Sequence, residues 1–150
     1  MGALFVLGRM IFGGFFAYNG VNHFLHQKTM SQYAEAHGVP AAESAVPATG
    51  AMLLAGGASI MAGVRPRQGL AAVIGFLIPV TFQMHRFWEE QDPNQRMNEM
   101  VNFSKNLALL GAALMMLKLD EPWAGSLPQL RHHEEMFIRL GGRELRALPA

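Results

Sequence analysis

Apolar residues dominate four stretches of this chain, and polar connectors separate them. The longest uncharged run covers the 21 residues from Ser44 to Val64. At about 1.5 Å of rise per residue, a helix of that length spans a hydrocarbon layer of about 30 Å. The pattern predicts three companion spans. They run from about Leu4 to Phe24, from Gln68 to Arg86 with 17 uncharged residues from Gln68 to Met84, and from about Asn98 to Leu117 around Lys105. Glycine and proline recur inside these runs, as at Gly13, Gly20, Gly56, Gly57, Gly75 and Pro79. They weaken helices in water, whereas membrane helices use small residues to approach one another closely. The expected fold is all-α: a transmembrane four-helix bundle over residues 1–120, with a polar external connector from Gln27 to Glu43 and a cytoplasmic amphipathic tail over 121–150.

Composition sharpens this picture. The chain has 150 residues, one domain's worth, of which 51% are hydrophobic and 15% charged. A net charge of +1 gives no reason to expect nucleic acid as a partner. Without cysteine there is no disulfide, thiol redox centre or thiolate metal site. Arg9 interrupts the first run and no basic segment precedes it, so that run reads as a permanent span rather than a cleavable signal. Arg65, Arg67, Lys118, Arg131, Arg139, Arg143 and Arg146 fall on one side of the expected bundle, against Lys28, Arg86 and Arg96 on the other. By the positive-inside rule both termini are cytoplasmic.

The polar residues within the spans are unevenly placed. Asn19, Asn22, His23 and His26 follow an i, i+3, i+4, i+7 stripe at the outer end of the first span. Asn98, Asn102, Lys105 and Asn106 form a similar stripe in the fourth, and the third ends in Gln83, His85 and Arg86, followed by Trp88 and Glu89. Each of these is costly against lipid, so they are expected to face one another or a wet cavity in the outer half of the bundle. Arg9 lies about 21 Å before His23 along the helix but within about 40° of the same face, which predicts an inward stripe of Arg9, Phe16, Gly20 and His23. With no acidic residue up to Ala34 or between Ser44 and Trp88, Arg9 either snorkels to the headgroups or binds carbonyls or an anionic group.

The stretch HRFWEEQDPNQRMNEMVNFSKNLALLGAALMML, from His85 to Leu117, resembles the third-to-fourth-span signature of the DoxX family: a His followed by FW, an acidic connector, then a KN pair opening a glycine-containing apolar helix. LGRMIFGGFFAYNGVNHF, from Leu7 to Phe24, is similar to the family's first span. The resemblance implies a small integral protein with four spans, here expected in a bacterial inner membrane. It also implies membrane redox work, since relatives are associated with a thiosulfate to quinone oxidoreductase and with complexes linking thiol or oxidative-stress chemistry to partner proteins.

A quinone headgroup needs hydrogen-bond donors for two carbonyl oxygens and a proton source, in an apolar site reachable from lipid. Lys105 with Asn106 or Asn102 is expected to serve one oxygen, and His23 or His85 the other while relaying a proton. Asn22, Gln83, Trp88 and Arg9 complete the candidate binding set, with Phe15, Phe16, Phe24, Phe82, Phe87 and Phe103 as aromatic walls. Lacking cysteine, flavin motifs and recognisable haem attachment, the chain would bind the acceptor and rely on a redox partner, soluble or in the membrane, for the donor side. A homo-oligomer is a further partner to consider.

Blander readings stand beside this one. The amides and imidazoles can simply hydrogen-bond between helices, and Trp88 can be an interfacial anchor. His23 with His26, or His85 with Glu89, has spacing that a metal could use, but that spacing is generic, and no metal site is assigned. His132 and His133 read as solvated residues, while Leu130, Met136, Phe137, Ile138 and Leu140 alternate with charges as a surface helix would. The alternative function is a non-catalytic scaffold or assembly subunit that holds a soluble partner.

Overall fold

The computed structural model describes residues 2–131 together with 135 and 136. Among the described residues five principal helices build the fold: α1 (Gly2–Leu25), α2 (Gln27–Ala36), α3 (Ala42–Ala62), α4 (Pro66–Met84) and α5 (Pro93–Met116). The four long ones coincide with the four apolar stretches, and α2 lies in the polar connector. Among the described residues, α1 and α3 alone are both long enough and apolar enough to cross a membrane. α4 and α5, at 19 and 24 residues, have the length but carry more polar side chains.

Local chemistry sets the boundaries. Gly63 ends α3 with φ of 65°, where its amide and that of Val64 return to Ile60 and Ser59 carbonyls at 3.2 Å. Pro66 then opens α4 at a position where a missing N–H costs nothing. Asp92 caps α5 by accepting from the Gln95 amide at 2.8 Å, and Pro93 follows as its first residue.

Glycine lets α1 and α3 meet almost backbone to backbone. A Cβ at Gly57 would lie 2.5 Å from the Gly13 carbonyl oxygen and from the Ala17 amide nitrogen. One at Gly20 would lie 2.5 Å from the Leu54 amide nitrogen and 2.7 Å from the Gly50 oxygen. The pairs Gly13–Gly57 and Gly20–Gly50 step in opposite directions along the two helices, which fixes an antiparallel register. A third close approach, Gly56 against Gly69, joins α3 to α4. The main helix contacts therefore run α1–α3, α3–α4 and α4–α5, with α2 laid on α3, and α1–α5 is not among them.

Phe16, Leu53, Ile60, Leu70, Val73, Leu77 and Ala113 fill the interior. Trp123 joins them from beyond α5, because the chain folds back beneath the helices after Leu117. Its ring meets Phe5 edge to face at 5.5 Å. Arg9, Gly13, Phe16, Gly20 and His23 are the buried positions of α1. The Arg9 guanidinium, 3% exposed, donates to the Gly125 carbonyl at 3.1 Å, so of the roles open to it, carbonyl binding is the one seen here. The amphipathic segment expected from Leu130 to Leu140 falls largely outside the described residues, as do His132 and His133.

The glycine seam makes a direct prediction. Gly57→Val should destabilise the protein by about 3 kcal/mol or more, because rigid backbone stands where the branched side chain must go. Gly75→Ala, with nothing within 4 Å of the new methyl, should stay within about 1 kcal/mol of wild type, on the stabilising side. Thermal or urea unfolding in detergent micelles reads both.

Candidate functional site

α5 buries three positions one heptad apart, Glu99, Asn106 and Ala113. Glu99 is the notable one, a carboxylate 6% exposed. Two helix ends supply its donors. His85, the residue that terminates α4, gives its Nδ1–H to Glu99 Oε2 at 2.7 Å, and Tyr33 of α2 gives its hydroxyl proton to Oε1 at 3.2 Å. Because a carboxylate only accepts, the Glu99 contact assigns the hydrogen to His85 Nδ1. Gln83, two residues further back, donates from Nε2 to the His37 carbonyl at 2.7 Å and so pins the far end of α2 over the same corner.

An aromatic wall adjoins this corner. Phe103 of α5 is met edge to face by Phe82 at 5.5 Å, Phe87 at 5.4 Å and Trp88 at 5.8 Å, and Phe87 packs on Trp88 at 5.1 Å. Phe82 and Trp88 stay half exposed, at 51% and 49%, so the wall is open on its outer side. Glu99 lies four residues, about 6 Å, nearer the α2 end than Phe103, which puts the ionisable group at the rim of the wall.

The nitrogen-bearing side chains expected to share one chamber divide into separate groups. His85, Gln83 and Trp88 belong to the corner just described. His23 is deeper: its Nδ1–H donates to the Asn19 carbonyl at 2.7 Å and its ring meets Phe76 at 5.8 Å, about 9 Å below Phe82 along α4. Asn106 is buried at an intermediate depth, about 4.5 Å below Phe103, and Asn22 is half-buried on α1. Lys105 is exposed and donates to Asn102 Oδ1 at 3.1 Å. Successive residues turn by about 100°, so Lys105 stands about 160° around α5 from Phe103 and cannot share a small ligand with His85. Arg9 sits at the opposite end, beside Gly63 and the returning tail.

Glu99 and Tyr33 are the residues that sequence patterning passes over. The signal for Glu99 is its heptad spacing to Asn106 and Ala113, which places it on the inward face of α5. For Tyr33, in a short polar helix, no linear signal exists, because its partner is 66 residues away. Glu89, the carboxylate that spacing offers to His85, instead faces Arg86 at 3.3 Å.

Burial of the hydroxyl, then the charge and hydrogen bond of Glu99, with Glu90 adding to them, hold the Tyr33 phenol above its ordinary 10.0, at about 12. An unfolded tyrosine releases its proton near 10.0, so the stability this contact contributes is complete below that pH and is lost as pH rises from 10.0 to about 12. Glu99→Gln removes the charge but leaves the burial. The Tyr33 pKa should therefore fall from about 12 toward 10.0 without reaching it. Phenolate absorbance in a Tyr18→Phe background, which leaves Tyr33 the sole tyrosine, measures the shift.

Comparison with known proteins bears on the larger part of this fold. The DoxX family model matches residues 4–86, more than half of the chain, from the start of α1 to the residue after His85. The match covers the glycine seam and the His85 side of the corner, while α5 with Glu99 and the Lys105–Asn106 pair lies beyond it. No curated protein and no solved structure matches the chain. With its apolar helices and this match, the chain is a membrane protein of the DoxX family.

Proposed function

We propose that this chain crosses the membrane four times, through α1, α3, α4 and α5, and serves as the quinone-facing subunit of a membrane oxidoreductase. In this reading α2 lies at the outer face and both termini are in the cytoplasm of a bacterial cell. The observation that carries the proposal is a buried carboxylate, Glu99, held by His85 and Tyr33 at the rim of an aromatic wall that opens sideways. An intramembrane carboxylate is expensive, and its pairing with an imidazole is the arrangement by which protons are held and passed inside bundles.

The residues fit a quinone. Phe82, Phe103 and Trp88 offer apolar faces to a flat headgroup arriving from lipid, and His85 presents the one ring nitrogen that Glu99 does not occupy. A bound quinone supplies an acceptor for two electrons and two protons. Glu99 fixes the tautomer and orientation of His85, so that Nε2 is the nitrogen that would be left free for a quinone carbonyl oxygen. With a proton on both nitrogens, His85 donates from Nε2 while Glu99 stabilises the imidazolium. Tyr33 holds the second carboxylate oxygen and closes the corner toward α2. Lys105 and Asn102, on another flank of α5, take no part in this site. Electrons reach it from a partner protein.

His85→Ala and Glu99→Gln are each expected to lower quinone reduction in native membranes by about a hundredfold or more, with the protein still inserted at wild-type level. Quinone copurifying with the chain should fall in parallel. If the protein is a non-catalytic scaffold, both variants leave quinone reduction unchanged, and only substitutions that unfold the bundle reduce it.

A further inference from the structure

Among the described residues, the buried side-chain atoms left without a hydrogen-bond partner are Arg9 Nε, Arg9 Nη1 and Trp123 Nε1. All three are donors, and they belong to one corner. Trp123 packs on Phe5, one turn before Arg9 on α1, and the Gly125 carbonyl takes the remaining guanidinium nitrogen, Nη2, at 3.1 Å. A guanidinium cannot shed its proton, so Arg9, at 3% exposure, keeps a full charge against one neutral acceptor. Neither α1 nor α4 contains a carboxylate, and Glu121, the one nearest Trp123 in sequence, faces Arg67 at 3.6 Å. A buried cluster that only donates calls for an acceptor with negative charge.

What covers Arg9 is the segment that returns after α5. Its polar attachments to the helices are the Gly125 carbonyl on Arg9, the Leu119 carbonyl on Arg67 at 3.3 Å and the Glu121 carboxylate on Arg67. Each is an oxygen held by an arginine, the kind of bond for which a phosphate oxygen competes. Arg9 Nη1 also lies against Gly63, the residue that ends α3. With α3 crossing the membrane, that level is the edge of the hydrocarbon, where lipid phosphates lie. We infer that Arg9 anchors an oxyanion site for a phosphate group, carried by a lipid or free, over which residues 118–126 fold as a displaceable cover. The site is separate from the quinone corner and does not rest on it.

The chain has no cysteine, so Ser126→Cys, at a fully buried position of the cover, supplies one thiol whose maleimide labelling reports opening. With the full chain in dodecyl maltoside, inorganic phosphate or phosphatidylglycerol should speed labelling roughly tenfold and saturably, relative to chloride at equal ionic strength or phosphatidylcholine at equal lipid. A response to inorganic phosphate identifies a site for the free ion, and one to phosphatidylglycerol alone identifies a lipid site. Either response should disappear in Arg9→Met and persist, weakened, in Arg9→Lys. No acceleration by either phosphate source, equal acceleration by the chloride and phosphatidylcholine controls, or a response that survives Arg9→Met overturns the proposal. The first two outcomes are read with Arg9 in place, so they decide even where Arg9→Met does not fold.

Discussion

A carboxylate removed from water must be met by donors or give up its charge, and the corner where α2, α4 and α5 converge is organised around that constraint at Glu99. His85 can reach it because α4 ends at Met84, which frees the next residue from the helix and turns its ring toward α5. Tyr33 can reach it because α2 is a helix laid across the mouth of the structure rather than a loose connector. One buried charge thereby fixes the position of two helix ends and a cover. Losing either donor leaves the carboxylate short of partners in a low-dielectric site.

The opposite end meets a related problem only in part, because Arg9 Nε and Nη1 are buried without a hydrogen-bond partner among the described residues. Arg9 is as buried as Glu99, and the chain beyond α5 returns to place the Gly125 carbonyl on it while Trp123 seals the floor. Between the two ends, the glycine seam of α1 and α3 forms a backbone-tight pair on which α4 and then α5 are layered. The His85–Glu99 pair is thus mounted on the later helices, while the earlier ones supply the frame. The family match divides along a similar line, covering α1 to α4 and stopping before Glu99.

Much of this was legible in the sequence because helical periodicity is local. The 14-residue spacing of Arg9 and His23 predicts one inward stripe, and both are buried with Phe16 and Gly20 between them. His85 and Gln83 emerge at the α2 end because they follow directly on an apolar run. Periodicity fails where one stripe is wider than the interface it meets. Asn106 and Lys105 are neighbours in the same predicted stripe, yet about 100° of rotation buries the amide and exposes the ammonium. It fails altogether for pairings such as Tyr33 with Glu99, which only tertiary structure brings together, and for Trp123, whose burial depends on a turn beyond the last helix. The same stripe, read against a quinone's need for hydrogen-bond donors, pointed to Lys105 as a ligand. The packing of Phe103 against α4 is what turns that residue away.

The corner depends on the coupling of buried Glu99 to half-buried His85, and a double-mutant cycle measures that coupling directly. Unfolding free energies in detergent at neutral pH, for His85→Ala, Glu99→Leu and the two together, suffice. Removing both partners should cost less than the sum of the separate losses by at least about 1 kcal/mol, since each single variant strands the other's polar group. Losses that add to within about 0.5 kcal/mol would show that the imidazole and the carboxylate do not depend on each other, and would contradict the account.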